Sequence, residues 1–147
     1  FSYFAIKILK LVDQKQFFIQ VQSIPDSLYT VEEFILGIAA ELAIEEDKLY
    51  GIMLSVSEAT TNAIFHANKK DPEKSVSITI TADNELFTVA IKDQGTGFNP
   101  VSIPDPTKPE NLLKDSGRGL FLMRIYSKSL SFNPSPLGTE TVLEFDL

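Results

Sequence analysis

The twelve residues SEATTNAIFHAN, Ser57–Asn68, decide how the rest of this chain is read. Residues four apart on an α-helix stack on one face. Glu58, Asn62 and His66 fall at that spacing, while Ile52, Val56, Ala59, Ala63 and Ile64 supply packing surface. An unpaired carboxylate beside a buried face is costly. The stripe therefore faces either water or a polar ligand. For a ligand the chemistry is specific: an Asn side-chain carbonyl is a hard oxygen that suits Mg2+. A Glu one turn away can take a proton from a water or hydroxyl.

The helix that carries this stripe is predicted to start at Glu45-Glu46-Asp47, acids that suit the positive end of its dipole. It is predicted to run to about Asn68, with Asp71-Pro72 ending it. Upstream, Phe17–Gln22 has strand composition and stops at Ile24-Pro25. Thr30-Val31-Glu32-Glu33 reads as a capping box that opens a first helix, with Val31, Phe34, Ile35, Ile38 and Leu42 as its apolar face. Downstream, Val76–Thr81 and Leu86–Ile91 alternate at period two and form a hairpin through Asp83-Asn84. Asn99–Ser116 has no period and holds Pro100, Pro104, Pro106 and Pro109. Such a long loop in a compact domain is functional or disordered. Gly117-Arg118-Gly119 then opens the helix LFLMRIYSKSL, and the strands Ser129–Phe132 and Thr139–Leu147 close the chain around a turn at Asn133–Gly138.

Hairpins with helices between them argue for an α+β fold. The expected architecture is a two-layer sandwich, with a mixed, mostly antiparallel sheet and helices on one face. Residues 17–147 form its single domain, and residues 1–16 are read as an added strand or arm. The 147 residues leave room for a real core. A formal charge of -7 gives no sign of a basic nucleic-acid surface, so no direct nucleic-acid partner is expected. The chain has no Cys, which excludes disulfides and thiolate metal sites. Its apolar start, FSYFAIKILKLV, is broken by Lys7 and Lys10 and is shorter than the roughly 20 residues a membrane span needs. No membrane partner is expected.

Three further motifs carry chemistry. In KDQGTGF, Asp93 ends a strand and can accept a hydrogen bond from an exocyclic amine, as on adenine, while Gly95 and Gly97 let a base approach the backbone. An ordinary Asp-Gly turn is the plain alternative. In DSGRGLFLM, Ser116, Gly117 and Gly119 precede an apolar helix, and backbone N–H groups there make an anion site. Alone, a G-x-G before a helix is weak evidence, and this one is neither a P-loop nor a dinucleotide fingerprint. Leu137-Gly138-Thr139 lies between the last two strands and, by itself, is a hairpin turn.

The order of these motifs is more specific than any one of them. E-x-x-x-N on a helix, D-x-G-x-G after a strand, a Pro-rich loop, G-x-G-L opening a helix and a late G-T together resemble the GHKL (Bergerat-fold) ATP-binding superfamily. Within it, the chain is similar to the short branch of anti-sigma-factor serine kinases, over about residues 17–147. The resemblance implies roles. Glu58 is the general base that activates the attacking hydroxyl or water. Asn62 ligates Mg2+ held between the phosphates of ATP. Asp93 binds the adenine amine, Gly95 and Gly97 shape the pocket, and Thr139 helps close the adenine side. Gly117 and Gly119 offer N–H groups to the phosphates, with Ser116, Arg118 and Leu120 in the same box. Lys108 or Lys114 adds positive charge from a lid, Asn99–Ser116. His66 takes no catalytic step.

The same resemblance implies a cytoplasmic, Mg-ATP-dependent protein serine/threonine kinase that regulates transcription. Its expected partners are a sigma factor, an anti-sigma antagonist protein that receives the γ-phosphate, and a second copy of itself as a homodimer. The alternative is an ATPase or ATP-binding switch module, like that of a sensor kinase, without protein kinase activity. One departure stands out: Tyr126-Ser127-Lys128 occupies the place where this branch commonly has an acidic pair, which points to a different partner surface.

Overall fold

The period-two alternation in SVSITITA puts Val76, Ile78, Ile80 and Ala82 on one side of a strand, and all four are buried. In the computed structural model, which describes residues 14–96 and 117–147, this strand is β2 (Ser75–Ala82). It lies between β1 (Lys15–Gln22) and β3 (Leu86–Lys92), and the sheet continues through β5 (Gly138–Asp146) to β4 (Ser129–Ser135). Every pairing is antiparallel, so no parallel pair breaks the expected, mostly antiparallel sheet among the described residues. Register aligns the apolar positions. Phe17, Ile80, Val89, Leu143 and Leu130 form one inward row across all five strands. The adjacent row, Phe18, Thr79, Ala90, Val142 and Ser131, points to the other face.

Three helices cover the inward face. Helix α1 (Ser27–Leu42) buries Val31, Ile35 and Ile38, and α2 (Glu46–Thr61) buries Ile52, Val56 and Ala59. Helix α3 (Arg118–Tyr126) buries Leu120 and Met123 against them. The result is the expected α+β two-layer sandwich with helices on one side. No helix among the described residues is long and apolar enough to cross a membrane.

Element boundaries differ from the sequence reading in several places. Strand β4 runs on through Asn133 and Pro134 to Ser135, so the turn before β5 is Pro136-Leu137. Strand β1 begins at Lys15, so Lys15 and Gln16 belong to the sheet rather than to an arm; residues 1–13 lie outside the described residues. Helix α1 begins at Ser27, a turn before Thr30. Pro25 and Asp26 wind the chain into it through Leu28 N–H to Pro25 O (3.1 Å) and Tyr29 N–H to Asp26 O (3.2 Å), so the expected capping box falls inside the first turn. Helix α3 ends at Tyr126 rather than at Leu130. Ser127 is extended, and Lys128 N–H already pairs with Glu144 O at 2.7 Å.

Candidate functional site

Helix α2 does not run straight through the Glu58, Asn62 and His66 stripe. From Asn62 to Ala67 the backbone forms one π-helical turn, with Asn68 N–H donating to Ala63 O at 2.9 Å, five residues back. Single π turns inside α-helices are frequent at functional sites. Lys69 and Lys70 follow at φ 53 and 57, a left-handed conformation that costs non-glycine residues about 1–2 kcal/mol each. The extra residue turns the helix end. Glu58 and Asn62 are half-buried, but His66 is exposed and leaves the stripe. The spacing of four holds for the first pair only, because π geometry needs more residues per turn.

Asp93 leaves β3 into a tight, fully bonded turn. Its N–H donates to Thr139 O at 3.0 Å, and its Oδ1 accepts from Thr139 N–H and Gly95 N–H, both at 3.0 Å. Gln94 N–H, between them, donates to Asn68 Oδ1 at 2.8 Å. Asp93 is 4% exposed, and both hydrogen bonds that its carboxyl group receives from described residues land on Oδ1. Oδ2 accepts no hydrogen bond from a described residue. The hydroxyl of Thr139, the residue whose N–H bonds Oδ1, is fully buried and has no partner among the described residues. A buried polar atom without a partner in a native fold asks for an explanation. A buried carboxylate and an orphan hydroxyl on two residues bonded to each other fit a planar base that carries an amine.

Glycines bring these pieces together. Gly138 sits at φ 138, and a Cβ there would collide with the carbonyl oxygen of Asp93. On the other side of the turn, a Cβ at Gly95 would lie 2.6 Å from Ala67 O. The Asp93–Gly95 turn is thus held between the end of the π turn and the start of β5.

The second half of the site is the first turn of α3. Gly117 is its N-cap, buried like Gly119, while Arg118 is exposed. Leu120 puts its side chain into the core, so it can offer a phosphate its backbone only. A Cβ at Gly119 would stand 2.5 Å from Oε2 of Glu58. The carboxylate therefore lies against the N-terminal turn of α3, a position that the helix dipole favours. Glu58 and Gly119 meet at one place, with Asn62 one turn along the same helix and Gly117 at the cap of α3, and Asp93, Gly95 and Thr139 meet at another. Gly97, Lys108, Lys114 and Ser116 lie outside the described residues. No group of three or more His, Asp and Glu side chains converges among the described residues. A metal at Asn62 would then bring most of its ligands with it, as Mg2+ does with phosphate oxygens and water.

Sequence reasoning missed Asn68. It is fully buried, and its amide makes three hydrogen bonds. An Asn at a helix end just before Lys-Lys-Asp-Pro was the signal that could have marked it. Two surface grooves, of about 370 Å³ beside Tyr126 and Lys128 and about 590 Å³ beside Ala43 and Asn84, are lined by none of the candidate residues.

A two-layer α+β domain with one buried carboxylate at a strand end and a second against a glycine-opened helix suits a nucleotide-binding class. The comparisons with known proteins are specific. A family model described as the histidine kinase-like ATPase domain matches residues 21–145, and the chain belongs to that family. It is 36% identical over 115 residues to an anti-sigma F factor of Bacillus subtilis (strain 168), covering 75% of each chain. It is 27% identical over 110 residues to the serine-protein kinase RsbW of the same organism, covering 71% of this chain and 69% of that one. In structure it is similar to a chain of the SiaB-SiaC complex from Pseudomonas aeruginosa, with a TM-score of 0.62, 13% identity, and 100% and 99% of the two chains covered. The last likeness bears on the fold. The expected ATP-binding fold and the kinase branch are both met.

Proposed function

We propose that this chain is a Mg-ATP-dependent protein serine/threonine kinase of the anti-sigma type, which transfers the γ-phosphate of ATP to an antagonist protein. The observation that carries the reading is the Asp93–Thr139 pair: a buried carboxylate bonded to the N–H of Thr139, whose buried hydroxyl has no partner among the described residues, where an adenine amine would be read. Relatives that are an anti-sigma factor and a serine-protein kinase support the reaction and the kind of partner.

Phosphoryl transfer is mostly positioning and charge neutralisation. ATP with Mg2+ supplies the phosphoryl group and the charge that offsets its oxygens. Asp93 would hold the base through its carboxylate, and the Thr139 hydroxyl would complete that side. The N–H groups of the α3 first turn would bind the phosphates, and the Asn62 carbonyl would be the protein's oxygen for the metal. Glu58 takes the proton of the incoming Ser or Thr hydroxyl as the new O–P bond forms and the bond to the β-phosphate oxygen breaks, releasing ADP. Gly97, Ser116, Arg118, Leu120 and Lys108 belong to the same proposal, as do a sigma factor partner, a homodimer and a cytoplasmic setting.

A second reading is an ATP-binding switch without kinase activity. The close approach of the Glu58 carboxylate to Gly119 favours it, since a base held against the α3 turn has less room to meet a hydroxyl. Incubation with Mg-ATP, with and without a candidate antagonist protein, tests both. The kinase reading expects ATP binding by calorimetry, and ADP together with phosphoserine or phosphothreonine on the antagonist. Binding without phosphoprotein for any antagonist that associates with the chain leaves the switch. Calorimetry that shows no binding of Mg-ATP overturns both.

A further inference from the structure

The N–H groups of Asp93 and Gly95 are bonded within the nucleotide-site segments themselves, to Thr139 O and to Asp93 Oδ1. Gln94, the residue between them, has its N–H held from outside, by the Oδ1 of Asn68 at 2.8 Å. Asn68 in turn is fixed on its other side. Its Nδ2 donates to Ser23 Oγ at 2.8 Å and to Ser75 O at 3.0 Å. Ser23 is itself tied to the chain before β2, its Oγ donating to Lys74 O at 2.9 Å. The amide cannot flip, because that would set a donor against the Gln94 N–H and an acceptor against Ser75 O. The side chain of Gln94 closes the ring, its Oε1 accepting from Ser75 N–H at 2.7 Å.

We propose that Asn68 is a positioning residue for base selection: by gripping the Gln94 amide it sets the Asp93–Gly95 turn, and so aims Oδ2 of Asp93 at an exocyclic amine. This rests on the nucleotide reading of the site given above. The residue touches no ligand; it acts through Gln94. The π turn is what makes the reach possible, since it carries Asn68 to the strand ends after Asn62 has been placed on the phosphate side. One helical segment thus positions a group at each end of the site.

A plain structural role predicts lost stability and nothing else. The positioning role predicts a change in which purine is chosen. The test compares binding of Mg-ATP with Mg-ITP, whose base carries an oxygen where adenine carries the amine. Asn68→Ala is expected to reduce the preference for ATP over ITP by about tenfold, the worth of a buried hydrogen bond that orients a reading group. Ser23→Ala removes a partner of Asn68 but leaves the Gln94 contact; it is expected to lower Tm and leave the preference unchanged. An unchanged preference in Asn68→Ala overturns the proposal, as does an equal loss in Ser23→Ala. Amide hydrogen exchange on the unmodified, nucleotide-free chain decides the matter should Asn68→Ala not fold. The Gln94 N–H is expected among the slowly exchanging amides, and exchange at the rate of an open loop overturns the proposal. An unmodified chain that binds neither nucleotide, or binds both equally, brings down the reading of the site and the inference with it; binding with an ATP preference that Asn68→Ala retains brings down the inference alone.

Discussion

At the Asp93 end of the site every backbone N–H from Asp93 to Gly95 has an acceptor within the described residues. At the Glu58 end, no hydrogen bond from a described residue holds the Glu58 carboxylate or the Asn62 amide. The first half is held by its own hydrogen bonds, so on the proposed reading little ordering entropy would remain to be lost there when a base binds. The second half holds Glu58 close to Gly119 without such bonds. On the proposed reading the contrast would be a division of labour, with recognition built in and chemistry assembled on binding. It also says which substitutions should separate affinity from rate.

The largest expected effect comes from Glu58→Ala. Loss of a general base should cut phosphoryl transfer by about a thousandfold and leave the Kd for Mg-ATP nearly unchanged. Equal loss of binding, by calorimetry, would erase the distinction between the two ends. Gly119→Ala sharpens the same end. The new methyl group would push on the Glu58 carboxylate, and displacing a reacting group by that much costs about a hundredfold in transfer rate. Its signature is a fall in kcat with KM preserved. Asp93→Asn acts on the other end, replacing a charged acceptor, and should weaken Mg-ATP binding by about thirtyfold. An Asp93→Asn variant that binds like the unmodified chain would sink the assignment of the base pocket.

The smallest effect belongs far from both ends. Lys128 donates to Asp146 Oδ1 at 3.0 Å, at the opposite end of β5 from Thr139. That hydrogen bond and the Asp146 charge hold its pKa above the ordinary lysine value. Because the folded-state value is raised, the contribution is present at neutral pH and is lost only as pH climbs past 10.5 and through that value. The pair is exposed, so Lys128→Ala should barely move Tm at neutral pH, and the small difference should vanish in strongly alkaline buffer.

How much of this was legible in the sequence follows from the range of the forces involved. Period-two runs such as SVSITITA are local patterns, and they read correctly as strands. Glu58 and Asn62 were legible because one turn of ordinary helix separates them. Asp93, Gly95 and Thr139 were legible as motifs, and the structure brings them together. The π turn was not legible. It is held by the Asn68 side chain, whose partners lie 45 residues before it at Ser23 and 26 after it at Gln94. No window along the chain contains both. The start of α1 was misread for a related reason: Thr30-x-x-Glu33 is a valid capping pattern, but the turn at Pro25 had already begun the winding.

The π turn has one more consequence, for any attempt to idealise this helix. Forcing regular coiling between Ala63 and Ala67, with no residue removed, would let Ala67 take the bond to Ala63 O that Asn68 makes now, a favourable change when judged by that segment alone. It would also rotate everything beyond it by about 100°, the step of one helical residue. Asn68 would then swing off the strand ends, and two lysines would lose the bend that accommodates them. The apparent imperfection works as a phase shifter, and a propensity score would recommend removing it.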